Sequence, residues 1–233
     1  MSMAAGTNTK PGEIAQTLDR GLRVLEALAE AGTGMTTTDV AEALGIHRSI
    51  AARLLATLVN RSYVSRDRDG RYALGTALLT LARQVAGDLL QVATPLMSEA
   101  AERLGLTVVL HVADQDEAVA VASIEPRNAT FRLGVRPGTR HPLRVAASGL
   151  AILSGREPVP GERPEVTAGR ARGYVVTTGE LVPNFTGVEA PVFVNGRAEA
   201  SIGLIVPAEH EHDDAMLSRE VVALAGRINA SLR

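Results

Sequence analysis

The spacing of apolar residues changes once along this chain, and that change limits what it can fold into. Up to Gly105 the apolar positions recur at helical intervals, whereas from Leu106 they come in short strand-like runs separated by turn residues. A chain of 233 residues has room for two modest domains, each burying its own core. The expected organisation is a tail over 1–12, a mostly helical domain over 13–75, a connecting helix over 76–93 and an α+β domain over 94–233.

Leu18, Leu22, Leu25 and Leu28 share one helical face, and Gly32 and Gly34 end the pattern, which predicts a first helix over 17–31. Thr37 or Thr38 can cap a short second helix that carries Val40, Ala41 and Leu44, with Asp39 at the positive end of its dipole and Gly45 as its stop. After a short turn a third helix runs from His47 to Asn60, which is helix-turn-helix spacing. On a helical wheel Ile50, Leu54, Leu55 and Leu58 form the buried stripe, and Arg48, Ser49, Ala52, Arg53 and Ala56 lie opposite. A merely solvated face more often carries Glu and Lys. This one is small in the middle and basic at its edges, as close approach to a major groove requires.

The segments 63–66 and 71–74 can pair as a hairpin around Asp69-Gly70, a wing that would bring Arg66, Arg68 and Arg71 to the phosphate backbone. The net charge of −2 hides this concentration: between Gly45 and Arg71 six arginines face two aspartates. Such a patch suits double-stranded DNA. The candidate DNA-contact set is Thr37, Thr38, His47, Arg48, Ser49, Ala52, Arg53, Arg66, Arg68 and Arg71.

Composition removes several alternatives. The chain has no cysteine, so disulfides, thiolate metal sites and cysteine nucleophiles are out. Aromatics make up 3% and tryptophan is absent, so the cores must be aliphatic. No apolar run approaches the ~20 residues of a spanning helix, and residues 1–12 lack the apolar core of a signal peptide, so a cytoplasmic protein without membrane contact is expected.

In the second half, 107–113, 117–124 and 130–133 read as strands, with a turn at 114–116. The segments 188–194 and 199–206 flank Asn195-Gly196, the strongest hairpin signal present. Thr94-Pro95 is read as the start of a helix ending at Gly105, and Asp213 or Asp214 as the cap of a last helix through Leu217, Val221, Leu224 and Ile228. Strands and helices without regular βαβ alternation predict an α+β domain with a mainly antiparallel sheet.

Several stretches resemble the IclR family of bacterial regulators: Gly21-Leu-Arg-Val-Leu-Glu-Ala-Leu, Asp39-Val-Ala-Glu-Ala-Leu-Gly-Ile-His-Arg-Ser, Arg53-Leu-Leu-Ala-Thr-Leu-Val and Gly70-Arg-Tyr-Ala-Leu-Gly. His141-Pro-Leu-Arg-Val-Ala-Ala-Ser-Gly-Leu-Ala-Ile-Leu, Arg172-Gly-Tyr-Val-Val-Thr-Thr-Gly-Glu-Leu-Val and Gly187-Val-Glu-Ala-Pro-Val continue the likeness. The resemblance implies a winged helix-turn-helix that binds palindromic operators as a homodimer or dimer of dimers, a connecting helix that contributes to dimerisation, and a GAF-like effector domain for small acids or aromatic metabolites. It places the effector among Leu133, Leu143, Ser148, Gly149, Phe185, Ala190, Gly203 and Ile205. Three departures stand out: a proline-rich 155–164 in place of a helix and longer loop, Gly203 and Ile205 where small polar residues occur, and Arg144 after Pro-Leu.

The helix beginning at Ala146 offers unpaired amides and a positive dipole end, with Ser148 and Gly149 allowing close approach and Arg136, Arg140 or Arg144 supplying counter-charge. A small carboxylic acid with an apolar body is therefore the expected effector. No enzymatic activity, cofactor or metal is expected. Ser148-Gly149 lacks the flanks of a G-x-S-x-G elbow, and the sequence places no histidine beside it, which sets an esterase aside. Glu209-His-Glu-His-Asp-Asp is read as helix-start acids in preference to a metal site. The competing reading is a metabolite-binding module whose helix-turn-helix serves protein contacts.

Overall fold

A computed structural model of the chain describes residues 14–82, 87–127, 133–209 and 213–232. It divides into two compact units, Met1–Val85 and Ala86–Arg233.

In the first unit, α1 (Gln16–Ala31) ends at Gly32, whose φ of 62° closes the helix in the left-handed region. Next comes α2 (Thr37–Leu44). Its cap is Thr36, one residue before the expected threonines: Thr36 Oγ1 accepts from the Asp39 amide, and the Asp39 carboxylate accepts from the Thr36 amide. This reciprocal pair satisfies two orphan donors at once, which neither Thr37 nor Thr38 can do with the acid at 39. After Gly45 and a short turn, α3 (Arg48–Asn60) leads into a hairpin of β1 (Val64–Arg66) and β2 (Tyr72–Leu74), then α4 (Ala77–Ala82).

The core of this unit is Val24, Leu28, Val40, Ala41, Leu44, Ala51, Leu54, Leu55, Val64 and Tyr72. Leu54 and Leu55 sit where the wheel put them. The stripe on α1 differs from expectation: Leu18 and Leu22 are 64% and 51% exposed, and Val24 with Leu28 makes the contact. Tyr72 and Met35 exchange backbone hydrogen bonds of 2.8 and 2.9 Å, which joins the hairpin to the segment preceding α2.

In the second unit, α5 (Gly87–Leu104) runs straight through Thr94-Pro95, where the sequence reading began a new helix. Proline forfeits one hydrogen bond. The helix persists because it buries Leu89, Ala93, Met97, Ala100 and Ala101, and because the Thr94 hydroxyl donates to the Leu90 carbonyl at 2.6 Å. The expected helix over 76–93 is thus described as α4 and the start of α5, with 83–86 outside the described residues.

Six strands follow: β3 (Thr107–Asp114), β4 (Glu117–Ile124), β5 (Arg140–Pro142), β6 (Val175–Thr178), β7 (Phe185–Val194) and β8 (Arg197–Pro207). They form one sheet in the order β5-β4-β3-β8-β7-β6, every neighbouring pair antiparallel. Asn195 and Gly196, at φ 52° and 77°, make the tight β7–β8 turn. The expected strand at 130–133 falls mostly on 128–132, outside the described residues.

Strand alternation sorts the sheet into two faces. Val188, Ala190 and Val192 of β7 and Ala200, Ile202, Leu204 and Val206 of β8 pack with α5 and with α8 (Asp214–Ser231). The other face meets α6 (Ala146–Ser154), which in turn packs on α7 (Pro164–Arg172) through Ala147, Leu150, Ala151 and Val166. The proline-rich 155–164 therefore leads into a helix, with Pro164 at its start, where the sequence suggested that a helix was replaced. Asp213 caps α8 by accepting from the amides of Ala215 and Met216. No helix among the described residues is long and apolar enough to cross a membrane.

Candidate nucleic-acid interface and ligand cavity

The outer face of α3 presents His47, Arg48, Ser49, Ala52 and Arg53, all exposed, and among the described residues Arg48 forms no ion pair. The Arg53 Nε–H donates to the Ser49 carbonyl at 3.4 Å, a long bond that leaves the guanidinium head on the surface. On α2 Thr38 is exposed and Thr37 half-buried.

The wing loop is a five-residue structure, not a two-residue turn. Asp67 Oδ1 accepts from the amides of Asp69 and Arg71 at 3.0 and 2.8 Å, and the Asp67 amide donates to the Arg71 carbonyl at 2.9 Å. Asp67 therefore shapes the loop. The three wing arginines separate in the same way. Arg66 lies 5.3 Å from the centroid of the Tyr72 ring, and Arg71, itself exposed, donates from Nη1 to the Gly34 carbonyl at 2.6 Å, which ties that donor to the fold. Among the described residues Arg68 has neither anchor and is exposed at the loop tip.

A cavity of about 290 Å³ opens in the second unit between the sheet and the start of α6. Leu133, Ser148, Phe185 and Ile205 line it as the sequence suggested, together with Arg136. Leu143, Gly149, Ala190 and Gly203 are placed elsewhere. Ala190 has the wrong strand parity and lies in the core beneath α5 and α8. Leu143 packs with Ala118 and Ile152, and Gly149 is pressed against the Leu143 backbone, where a Cβ has no room. Gly203 faces the cavity side but lies under the Glu189 side chain. Arg140 is committed to Asp114 and Glu117 at 2.7 and 3.2 Å, and Arg144 does not reach the cavity.

The residues that sequence reasoning missed form the polar part of the lining: His111, Thr139, His141, Thr177, Glu180 and Glu189. Ser148 Oγ lies 2.9 Å from His141 Nε2, so a histidine does stand beside this serine. It reaches Ser148 from β5, an element without a sequence signal. With His141 Nδ1 directed at the Pro142 carbonyl, 3.2 Å away, Nε2 is the acceptor and the serine hydroxyl donates.

The first two amides of α6 are also engaged. The Ala146 amide donates to Glu180 Oε2 at 2.8 Å and the Ala147 amide to Thr177 Oγ1 at 2.9 Å. This corrects the expectation that the first two amides of the helix await a ligand carboxylate. Glu180 is itself held by Arg163, with two contacts of 2.9 Å, and that guanidinium keeps its carboxyl below the ordinary range. Ala146 opens the helix at φ 62°, a strained conformation for a residue with a Cβ, at the cavity wall.

Burial pushes the His141 imidazole below its ordinary value of 6.5, against the opposing pull of the Pro142 carbonyl. The unfolded chain then binds a proton that the folded chain resists. The contribution is intact above that ordinary value and is lost as pH falls through it. Melting the protein from neutral to mildly acidic pH is expected to show a falling midpoint, with a shallower fall in His141→Asn; parallel curves would assign the acid sensitivity to other groups.

Residues 17–68 match the IclR helix-turn-helix domain, and residues 82–159 match the bacterial transcriptional regulator IclR C-terminal family. The HTH-type transcriptional regulator XynR of Escherichia coli is 30% identical over 60% of this chain, a match that spans 57% of that regulator. KipR of Bacillus subtilis is 28% identical over 72% of this chain and 76% of its own length. An IclR homolog from Microbacterium hydrocarbonoxydans, solved in complex with 4-hydroxybenzoate, superposes with a TM-score of 0.81 at 24% identity, covering 93% of this chain and 99% of that one. A regulator from Alicyclobacillus acidocaldarius gives 0.77 at 24% identity, over 94% and 100% of the two chains.

Proposed function

The chain belongs to the IclR family of bacterial transcriptional regulators, and from that premise we propose that it is a sequence-specific DNA-binding regulator whose operator affinity responds to a small carboxylic acid held in the second unit. The observation that carries the reading is the outer face of α3. It is small and basic, without the acids a solvated helix usually shows, on a family-matched helix-turn-helix. Arg48, Ser49 and Arg53 would address base edges, with His47, Ala52, Thr37 and Thr38 alongside and Arg68 on a phosphate.

One recognition helix spans only a few base pairs. Specific binding therefore calls for a homodimer, or a dimer of dimers, with half-sites a whole number of helical turns apart. For the acid, the support is the mainly apolar cavity with Arg136 on its lining, and the 4-hydroxybenzoate held by the Microbacterium homolog. The carboxylate would pair with Arg136, because the amides of Ala146 and Ala147 are taken.

A gel shift on the DNA upstream of the gene, with and without aliphatic and aromatic acids, tests the proposal. A specific shift altered by an acid is expected. No sequence preference would favour the reading in which the helix-turn-helix serves protein contacts. The wing adds a quantitative check: Arg68→Ala should weaken binding to every sequence and reduce the salt slope by about one unit, whereas Arg71→Ala should act mainly through stability. Equal slopes for wild type and Arg68→Ala would remove Arg68 from the interface.

A further inference from the structure

We propose that the sheet side of the cavity is a hydroxyl-recognition site built from Glu189 and His111, so that the effector is a hydroxylated acid; this rests on the reading of the cavity as the effector site. Both side chains line the cavity and are 4% exposed, on β7 and β3, with β8 between them. The fully buried Ser201 of β8 stands opposite His111 in register, and its hydroxyl donates to Glu189 Oε2 at 2.7 Å. Glu189 Oε1 lies 3.4 Å from His111 Nδ1, yet the angles give no hydrogen bond, and Nδ1 is left buried without a partner.

The sheet is shaped to hold this arrangement. Gly203 stands opposite Glu189 in register, and any side chain there would strike the glutamate stem. A buried carboxylate and a buried imidazole with open hydrogen-bonding capacity are costly unless something completes them. One hydroxyl completes both: its O–H donates to Glu189 Oε1, and its oxygen accepts the His111 Nδ1–H. A ligand carboxylate at this end would be repelled by Glu189, and a C–H would leave both groups unsatisfied. The acid end must lie elsewhere, and Arg136, which forms no ion pair among the described residues, lines the same cavity.

Titration calorimetry on the full chain with 4-hydroxybenzoate, 3-hydroxybenzoate, benzoate and 4-hydroxybenzamide tests this. At least one hydroxybenzoate is expected to bind about ten- to a hundredfold more tightly than benzoate, because a site built around a hydroxyl rejects the analogue that lacks it. In Glu189→Met, similar in length but without the acceptor, the preference should shrink to about threefold or less, and retained benzoate binding reports an intact cavity. Equal affinity of wild type for benzoate and both hydroxybenzoates, an unchanged preference in Glu189→Met, or no binding of any hydroxylated probe would overturn the proposal. Tight 4-hydroxybenzamide binding with benzoate excluded would keep the hydroxyl site and overturn the acid.

Discussion

Alanine at Arg48 and Arg53 together is expected to erase most of the preference for operator over random DNA, with a cost of ~1–3 kcal/mol for each arginine that pairs with a base edge. Both lie on the exposed face of α3, opposite Ala51, Leu54 and Leu55, so truncation should leave the core untouched. The measurement is a competition binding series with operator and scrambled duplexes at fixed salt. Equal loss on both duplexes would move these arginines to the phosphates, because backbone contacts carry no sequence information.

Alanine at Gly149 is expected to destabilise the second unit. Its Cβ would land on the backbone carbonyl of Leu143, well inside van der Waals contact, and a backbone cannot rotate aside as a side chain can. Overpacking of this kind costs ~1–3 kcal/mol, which for a domain of this size lowers the melting midpoint by roughly 2–12 °C. Scanning calorimetry of the variant beside wild type measures it. An unchanged midpoint would show that the Leu143 segment can yield.

The helix-turn-helix was legible because its determinants are local. Helical period, glycine stops and the basic face of α3 all lie within one short stretch, and the helix bounds there differ from expectation by a residue or less, although the α2 cap is one or two residues early and Leu18 and Leu22 are exposed. The cavity was less legible because it is assembled across strands. Ala190 and Glu189 are neighbours in sequence but face opposite sides of β7, so a one-residue choice exchanged a core methyl for the buried carboxylate.

A signal for Glu189 was present: a lone acid inside the apolar run Val188-Glu-Ala-Pro-Val. His141 had none, because β5 is three residues long and its place beside α6 follows from pairing with β4. The amides of Ala146 and Ala147 misled for the same reason. Glu180 and Thr177, which satisfy them, lie about thirty residues downstream. Arg71 is exposed, and its bond to the Gly34 carbonyl at 2.6 Å spans two segments 37 residues apart that no local pattern connects.

That last contact, together with the paired backbone hydrogen bonds between Met35 and Tyr72, fastens the wing to the segment that launches α2. The wing and the helix-turn-helix therefore form one stiff caliper whose opening the protein sets in advance. If α3 enters a major groove, the phosphate that Arg68 would meet lies at a distance from the bases being read that the fold has fixed. A phosphate recurs at every base pair, so such a caliper would be indifferent to the sequence under its outer jaw and sensitive to groove width and bend, which move the backbone relative to the bases.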